Sequence, residues 1–463
     1  MAVVRPHDGA PFEAATGVLV IGAGAGGLIT ALRARAAGAE VLVLERDAVP
    51  RGSTALSAGL IPAAGTKIQK AAGILDSEAI FAGDIIRKAG GEPAAERVAV
   101  VVGAVARAID WLAERHDLPF SVITNFSYPG HSANRMHGLP SRSGGELMDR
   151  LRAAAERAGI DIVTNARATA LLTGEGSRVY GVEVERPDGT RESIGCTALV
   201  LACNGYGGNR SLVAAHIPEL AGALYFGHPG NQGEAILWGE ALGAKLADLS
   251  GHQGHGSVAE PHGILISWAT MMEGGFQVNR SGVRFSDESH GYSEHAATLL
   301  QQPSGIGWSI FDARIAVIAR QFEDFRNAEA QLAVISAQTP EALAAQIDIP
   351  VETFAETLRS VEDFKARSGR DDLGRDWTDA KPLVAPYCAV KVTGALFHTQ
   401  GGLMVDAEAR VLAKNKSRLP NMFAVGGAAQ GVSGSKASGY LSGNGLLTAF
   451  AYGYLAGDAA TNI

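Results

Sequence analysis

Three groups of residues in this sequence carry chemistry in their type and spacing. Gly22, Gly24 and Gly27 form a G-x-G-x-x-G run, and the acidic Glu45 follows 23 positions after its first glycine. Glycines so spaced permit a tight turn, a close backbone approach to a pyrophosphate, and close packing of helix on strand. Glu45 can accept hydrogen bonds from a ribose. Two histidines form the second group, His255 in "GHQGHGS" and His398 in "FHTQGG". A neutral imidazole donates a hydrogen bond to a carboxylate or ketone, and its ordinary pKa lies near working pH. The third is Tyr440, alone in the Gly/Ser/Ala-rich "GGAAQGVSGSKASGYLSGNGLL". That stretch is either a linker or the rim of a site.

The elements around the glycines decide how they act. Residues 18–21, "VLVI", are a short apolar run of the kind a buried parallel strand needs. A helical pattern follows the glycines, with Leu28, Ala31 and Leu32 on its apolar face, and a second strand, "EVLVLE", ends at Glu45. The helix N-terminus offers unpaired N–H groups and positive dipole to phosphates. Strand, turn, helix, strand and acid in register predict a dinucleotide site. The motif serves FAD and NAD alike. The loop "RGSTALSAGLIPAAG" (51–65) favours a flavin, since small hydroxyl residues (Ser53, Thr54, Ser57) suit its close passage. Two more buried strands run into glycine turns, "ALVLACNGYGGN" (198–209) and "LPNMFAVGGAAQG" (419–431).

At 463 residues the chain exceeds what one core usually serves, which predicts two domains. Apolar residues make up 46% and charged ones 19%, the proportions of a soluble globular protein. A formal net charge of -8, with no basic run, disfavours nucleic acid or an anionic membrane as partner. Cys196, Cys203 and Cys388 lack metal-ligand spacing and read as reduced, buried packing residues. The N-terminal "MAVVRPHDGAPFEAATG" lacks a signal-peptide layout, and no apolar run approaches the roughly 20 residues of a membrane span. A cytoplasmic protein is expected.

Together these segments resemble the flavoprotein family of soluble fumarate reductases, succinate dehydrogenase flavoprotein subunits and 3-ketosteroid dehydrogenases. The likeness runs through most of the chain. "VLVIGAGAGGLITALRARAAGAEVLVLER" resembles the family's opening, "RGSTALSAG" its serine-threonine flavin loop, and "ACNGYGGN" its A-T-G-G-F-G-x-N turn, with Cys203 and Asn204 as departures. "NQGEAILWGEALGAKL" resembles the G-D-G-x-x-x-A segment, with Gln232 and Glu234 as variants. "GGFQVNRSGVRFSDE" resembles V-N-x-x-G-x-R-F-x-N-E, "FHTQGGL" the H-T-x-G-G-L strand pair, and "AVGGAAQG" the closing A-x-G-E segment, with Ala429 in place of the acid.

The resemblance implies an α/β fold: a Rossmann-like FAD-binding domain with a doubly wound parallel sheet, discontinuous in sequence, and an inserted α+β capping domain. The expected units are 1–255 and 381–463 for FAD, and 256–380 for the cap, whose 310–370 stretch is helical in pattern. Non-covalent FAD contacts are implied at Gly22, Gly24, Gly27, Glu45 and Arg46 in the first βαβ unit, and at Ser53, Thr54, Ser57 and Gly59 in the loop. Further on they fall at Ala168, Ala202, Asn204, Gly205, Asn209 and Glu234, then at Gly427, Ala428, Gly445 and Leu446 near the C-terminus. The tethering histidine of succinate dehydrogenase subunits has no counterpart in "RGSTALSAG".

Members of the family move a hydride between flavin N5 and a carbon near an electron-withdrawing group. A dicarboxylate enzyme needs cationic clamps, whereas a ketone enzyme needs O–H or N–H donors at one oxygen. Where fumarate reductases carry arginines, this chain has "WATMMEGGFQVN", with Met271, Met272 and Glu273, and "YLSGNGL", with Tyr440. The 3-ketosteroid dehydrogenases place a ketone-holding tyrosine in that second segment. The resemblance therefore implies catalytic roles for Tyr440, His398 and His255, with His252 adjacent but without precedent. Tyr128, His131, Arg135 and His137 in "NFSYPGHSANRMHG" are implied around the substrate, although Arg135 suits a structural salt bridge equally well. Tyr292 is the tyrosine available as α-proton base. The expected activity is FAD-dependent desaturation of a cyclic ketone, small (4-oxocyclohexanecarboxylate) or a 3-ketosteroid. Electrons would pass to a diffusible acceptor or O₂. The alternatives are a fumarate-reductase-like ene-reductase acting on an unsaturated acid or ketone, and a flavin carrier without its own catalysis.

Overall fold

The apolar run at 18–21 forms the buried end of a strand, Ala14–Ile21, in the computed structural model, which describes residues 3–125 and 127–463. Phe126 of the candidate loop and the first two residues of the N-terminal segment lie outside the described residues. Ala14–Ile21 pairs in parallel with Val41–Leu44 on one side and with Arg191–Leu201 on the other. Arg418–Ala424 joins the second half of Arg191–Leu201, also in parallel, and Asp161–Val163 extends the opposite edge. Leu201 stands opposite both Ile21 and Ala424, and Ile21 opposite Leu44. Four strands therefore end at one level, and the segments beginning at Gly22, Glu45, Ala202 and Val425 leave the sheet along one rim. Ligands of open parallel sheets bind at such a rim. The sheet has nine strands, completed by the antiparallel run Arg167–Thr173, Val179–Glu185 and the edge strands Val3–Pro6 and Arg410–Leu412.

Helices pack beside the sheet and on one another. Ala25–Ala36 packs against the C-terminal helix Asn444–Ala459 with almost no side chain between them: a Cβ on Gly453 would lie 2.7 Å from the Gly26 carbonyl oxygen, and one on Gly457 2.7 Å from that of Thr30. The apolar run after Tyr440 is thus a buried helix that starts at the sheet's functional rim.

A second, seven-stranded sheet is built around one long strand, Tyr387–Thr399, flanked by His252–Ala259 and Ile306–Asp312. Its core contains Phe276, Ile310, Phe311, Phe325, Phe354 and Trp377. Ala313–Ala319, Glu323–Ala330, Pro340–Gln346 and Val351–Ala366 are the helices expected from the 310–370 pattern. Between them lies a strand that the helical reading omits, Val334–Ala337, whose β-branched pair adds to Tyr387–Val390. Because Tyr387–Thr399 follows residue 380 and His252–Ala259 spans residue 255, the second sheet draws strands from both sides of the expected boundaries. Buried ion pairs brace this unit: Glu288 bonds Arg284 and Arg375, both guanidinium groups stack on Trp377, and Arg375 also donates to the Met271 carbonyl at 2.6 Å. Among the described residues, no helix is long and apolar enough to cross a membrane.

Candidate active site

The rim of the parallel sheet opens into a large cavity that continues beneath the second sheet. At its nucleotide end, Gly22 adopts φ +106°, a conformation closed to most side chains. Gly24 begins the Ala25–Ala36 helix and leaves its N-terminus facing the cavity. Glu45 is buried, and its two carboxylate oxygens accept from the N–H groups of Ala23 and Asp47, each at 3.0 Å. Burial raises its pKa against those two bonds. Each oxygen keeps a further lone pair for a ribose hydroxyl. Arg46 bonds the Gly230 carbonyl at 2.6 Å and stands 3.6 Å from Glu234. The other oxygen of Glu234, Oε2, is buried with no partner. An orphan acceptor beside an arginine, in a cavity lined by glycine backbone, suits a nucleotide with hydroxyl and phosphate groups.

The hydroxyl loop contains a short helix, Gly52–Ala55. Thr54 Oγ1 accepts from the Ala25 N–H at 3.3 Å, Ser57 Oγ donates to the Thr54 carbonyl at 2.7 Å, and Ser53 Oγ accepts from Asn231 at 2.8 Å. Ala168, Ala202, Asn204, Gly427, Gly445 and Leu446 line the same cavity. Five residues expected as direct cofactor contacts, Gly27, Gly59, Gly205, Asn209 and Ala428, lie outside the lining. They build the turns behind it. A Cβ at Gly205, for instance, would lie 2.0 Å from Thr399 Oγ1, and Asn209 caps the Arg210–His216 helix by accepting from Leu212 N. Cys203 lines the cavity and is half-buried rather than a core residue, and burial pushes its thiol up to about 12.

At the other end, Tyr440, Tyr292 and Tyr128 converge with His255 and His398. Tyr440 is 5% exposed and packs with Trp268, Met271 and Tyr292. Backbone N–H groups of Gly443 and Gly445, together with the Tyr292 side chain, hydrogen-bond its hydroxyl. Those N–H groups belong to the first turn of Asn444–Ala459, where they lack intrahelical partners. Burial raises the pKa values of both Tyr440 and Tyr292, with Ser442 bonding the Tyr292 side chain. His255 stacks on Tyr292, ring centroids 4.6 Å apart, and its Nδ1 accepts from the Ser257 N–H at 3.1 Å. The neutral ring therefore carries its proton on Nε2. Burial holds His255 at about 3 and His398 at about 4, so both are uncharged at neutral pH. The two histidines reach the site on neighbouring antiparallel strands, His255 opposite Ala395 and His398 opposite Gln253.

Two residues expected to contact substrate do something else. Arg135 lies outside the cavity lining with its side chain fully buried, 2.9 Å from Asp76 and 2.6 Å from Asp84, and stacked on Phe81. Burial pushes Asp84 upward, but the bonds from Ser132, Arg87 and Arg135 prevail and hold it at about 2. With its N–H edges bonded to two aspartates and one face on Phe81, Arg135 has its charge already paired. Replacing it with Met should destabilise the fold by about 3–5 kcal/mol, because two carboxylates lose a buried partner. Substrate KM of the surviving protein should be unchanged; urea unfolding and steady-state kinetics check the pair of effects. His137 is likewise buried behind the wall, between Thr66 Oγ1 at 2.8 Å and the Arg135 carbonyl at 2.9 Å. His252 bonds the Ser250 carbonyl and is also absent from the lining. His131 supports the site indirectly, its Nε2 3.0 Å from the Ser442 carbonyl.

The lining also includes residues that the sequence did not single out: Trp268, Gln253, Gln400, Ser442 and Asp324. Gln400 had a usable signal, since it sits inside the H-T-x-G-G motif. Among the described residues, the cationic side chains of the lining are Arg46 and Arg167, both beside the Glu45 and Ala168 walls of the nucleotide end; Arg142 acts on Tyr128 from outside the lining.

The sequence profile of the FAD binding domain family matches residues 17–446. A probable fumarate reductase from Shewanella frigidimarina (strain NCIMB 400) is 30% identical over 450 residues, covering 96% of this chain and 74% of that one. A 4-oxocyclohexanecarboxylate 2-dehydrogenase from Sinomonas cyclohexanicum is 26% identical over 544 aligned residues, covering 95% and 92%. The solved structure of 3-ketosteroid-Δ4-(5α)-dehydrogenase from Rhodococcus jostii RHA1, in complex with 4-androstene-3,17-dione, is 25% identical with a TM-score of 0.77, covering 99% of both chains.

Proposed function

Because this chain belongs to the FAD binding domain family and is a FAD-dependent oxidoreductase, we propose that it desaturates a cyclic ketone α,β to the carbonyl. FAD, when bound, supplies the acceptor for the hydride that leaves the β-carbon. The Tyr440 hydroxyl donates to the ketone oxygen, and the Gly443 and Gly445 N–H groups, bonded to that hydroxyl, orient it and favour its proton moving toward the oxygen where enolate charge develops. Tyr292, within hydrogen-bonding reach of Tyr440, takes the α-proton. His255 is a neutral Nε2–H donor, which removes it as a base. Trp268 and Phe397 exclude water around it. The observation that carries this reading is the Tyr440 hydroxyl held at a helix N-terminus, in a part of the cavity lining where the described residues include no arginine or lysine.

In this reading FAD is held non-covalently, since the loop of Ser53, Thr54 and Ser57 carries no imidazole and burial raises the Cys203 thiol. Electrons leave to a diffusible acceptor or O₂. The substrate is a small cyclic ketone of the 4-oxocyclohexanecarboxylate class, or a 3-ketosteroid. A second reading, reduction of an unsaturated acid or ketone, draws on the fumarate reductase relative, and the absence of arginine, among the described residues, from that part of the lining weighs against its dicarboxylate form. Anaerobic mixing separates the two. Cyclohexanone carboxylates or 3-ketosteroids are expected to bleach the flavin at 450 nm or so within seconds. Bleaching only by an added reductant, with reoxidation by an enoate, would overturn the desaturase.

A further inference from the structure

We propose that Gln400 is a positioning residue that locks His398 as an Nε2–H donor, through a buried relay of neutral groups reaching Asn444 and Ser433. Asn444 Nδ2 donates to Ser433 Oγ at 2.9 Å, and Ser433 Oγ donates to Gln400 Oε1 at 2.8 Å. With Asn444 Nδ2 as the donor, its Oδ1 left buried without a protein partner, the single hydroxyl proton of Ser433 goes to Gln400 and orients that amide. Its Nε2 then faces His398 Nδ1 at 2.9 Å. An amide N–H at that distance requires a lone pair on Nδ1. The Thr399 carbonyl, at 3.3 Å, is the longer contact of the same nitrogen and is left unused by a bare Nδ1.

All three relay residues are buried: Gln400 is 4% exposed, Ser433 1% and Asn444 0%. Gln400 is also pinned through its backbone, whose N–H donates to Gly251 and whose carbonyl accepts from Gly431. The proton of the neutral imidazole is consequently on Nε2, the atom that lies over Gly445 in the first turn of the C-terminal helix; a Cβ there would be 2.6 Å from it. His398 and His255 reach the same tautomer by different means, one from a side-chain amide and one from a backbone N–H. Both histidines then present donors, and neither can take the α-proton at Nε2. A neutral relay accomplishes this without a carboxylate, which would favour the imidazolium.

The consequence for rate rests on the ketone reading above; the tautomer does not. The test uses the full-length, FAD-loaded protein with ¹⁵N-labelled histidine, His398 being assigned from a His398→Asn spectrum. Wild-type enzyme without substrate should show a pyridine-like Nδ1 and a pyrrole-like Nε2. Gln400→Glu should invert or doubly protonate the ring, and Ser433→Ala, one bond removed from the histidine, should give a tautomer mixture. A pyrrole-like Nδ1 in the wild type, or shifts unmoved in both variants at full FAD content, overturns the proposal. Ketone-driven flavin reduction should fall roughly tenfold to a hundredfold in Gln400→Glu. Inversion of the spectrum with an unchanged rate would support the relay while removing His398 from the ketone mechanism.

Discussion

Tyr440→Phe is expected to slow ketone-driven flavin reduction by about 10²–10³-fold, or about 2.7–4 kcal/mol of transition-state stabilisation, with FAD content unchanged. The substitution removes one oxygen and keeps the ring, so the packing of Tyr440 against Trp268, Met271 and Tyr292 survives. What is lost is the donor aimed at the oxygen where negative charge accumulates. The Gly443 and Gly445 N–H groups, which bond that hydroxyl, are set free by the substitution and account for the activity that remains. Substrate binding should weaken far less than kcat, since a ground-state ketone oxygen carries little charge. Stopped-flow reduction at saturating ketone measures the effect, and an unchanged rate would sink the role of Tyr440.

The pH dependence follows from the same geometry. Burial raises the pKa of Tyr440, which therefore stays protonated, as a donor must, through the neutral range. Tyr292 must lose its proton to act as base, and its pKa is also raised, so the reactive form becomes commoner as pH rises. The rate should climb by up to tenfold per pH unit across pH 6–9. His255 at about 3 and His398 at about 4 stay neutral over this range and contribute no inflection. A limb centred near pH 6.5 in kcat/KM would instead indicate a histidine base.

What the sequence discloses about this molecule is local. Gly22, Gly24 and Glu45 act within one βαβ unit, and their spacing alone carries their geometry. Tyr440 was legible because it interrupts a stretch of small residues, and the helix behind it because its apolar run is long. Arg135 was legible as either a substrate contact or a structural salt bridge, and its sequence neighbours could not name its partners. Its carboxylate partners, Asp76 and Asp84, are 59 and 51 positions away and reach it only through packing. The Gln400 relay is hidden for the same reason, with Ser433 33 positions further on. Gly27 was counted among the cofactor contacts although its motif spacing already carried a packing role, and Gly59 and Gly205 were counted with it because motif residues look alike in one dimension. Only a fold separates a glycine that faces a ligand from one that faces its own backbone.

That distinction makes Gly27→Ala the most damaging small substitution expected here, although Gly27 does not line the cavity. A Cβ at position 27 would lie 1.9 Å from the Gly22 carbonyl oxygen and 3.2 Å from Ala202 Cβ. The Gly22 turn cannot yield: its N–H is bonded to the Leu44 carbonyl at 2.8 Å, and its φ of +106° already excludes other conformers of the loop. The retreat of the Ala25–Ala36 helix is limited too, because Gly453 and Gly457 of the C-terminal helix hold its adjoining face at backbone contact. Overpacking with little room for relief costs about 3 kcal/mol or more, and the displaced helix N-terminus would no longer meet a pyrophosphate. Gly24→Ala is the matched control, since its Cβ meets nothing closer than Thr54 Oγ1 at 3.7 Å. That variant should fold with near-wild-type stability and lose FAD affinity, because the new methyl group lies on the side from which phosphates approach. Thermal unfolding of the apoproteins, with FAD titration of each, separates the two roles. Wild-type melting and FAD content in Gly27→Ala would show that the helix has slack the packing does not reveal.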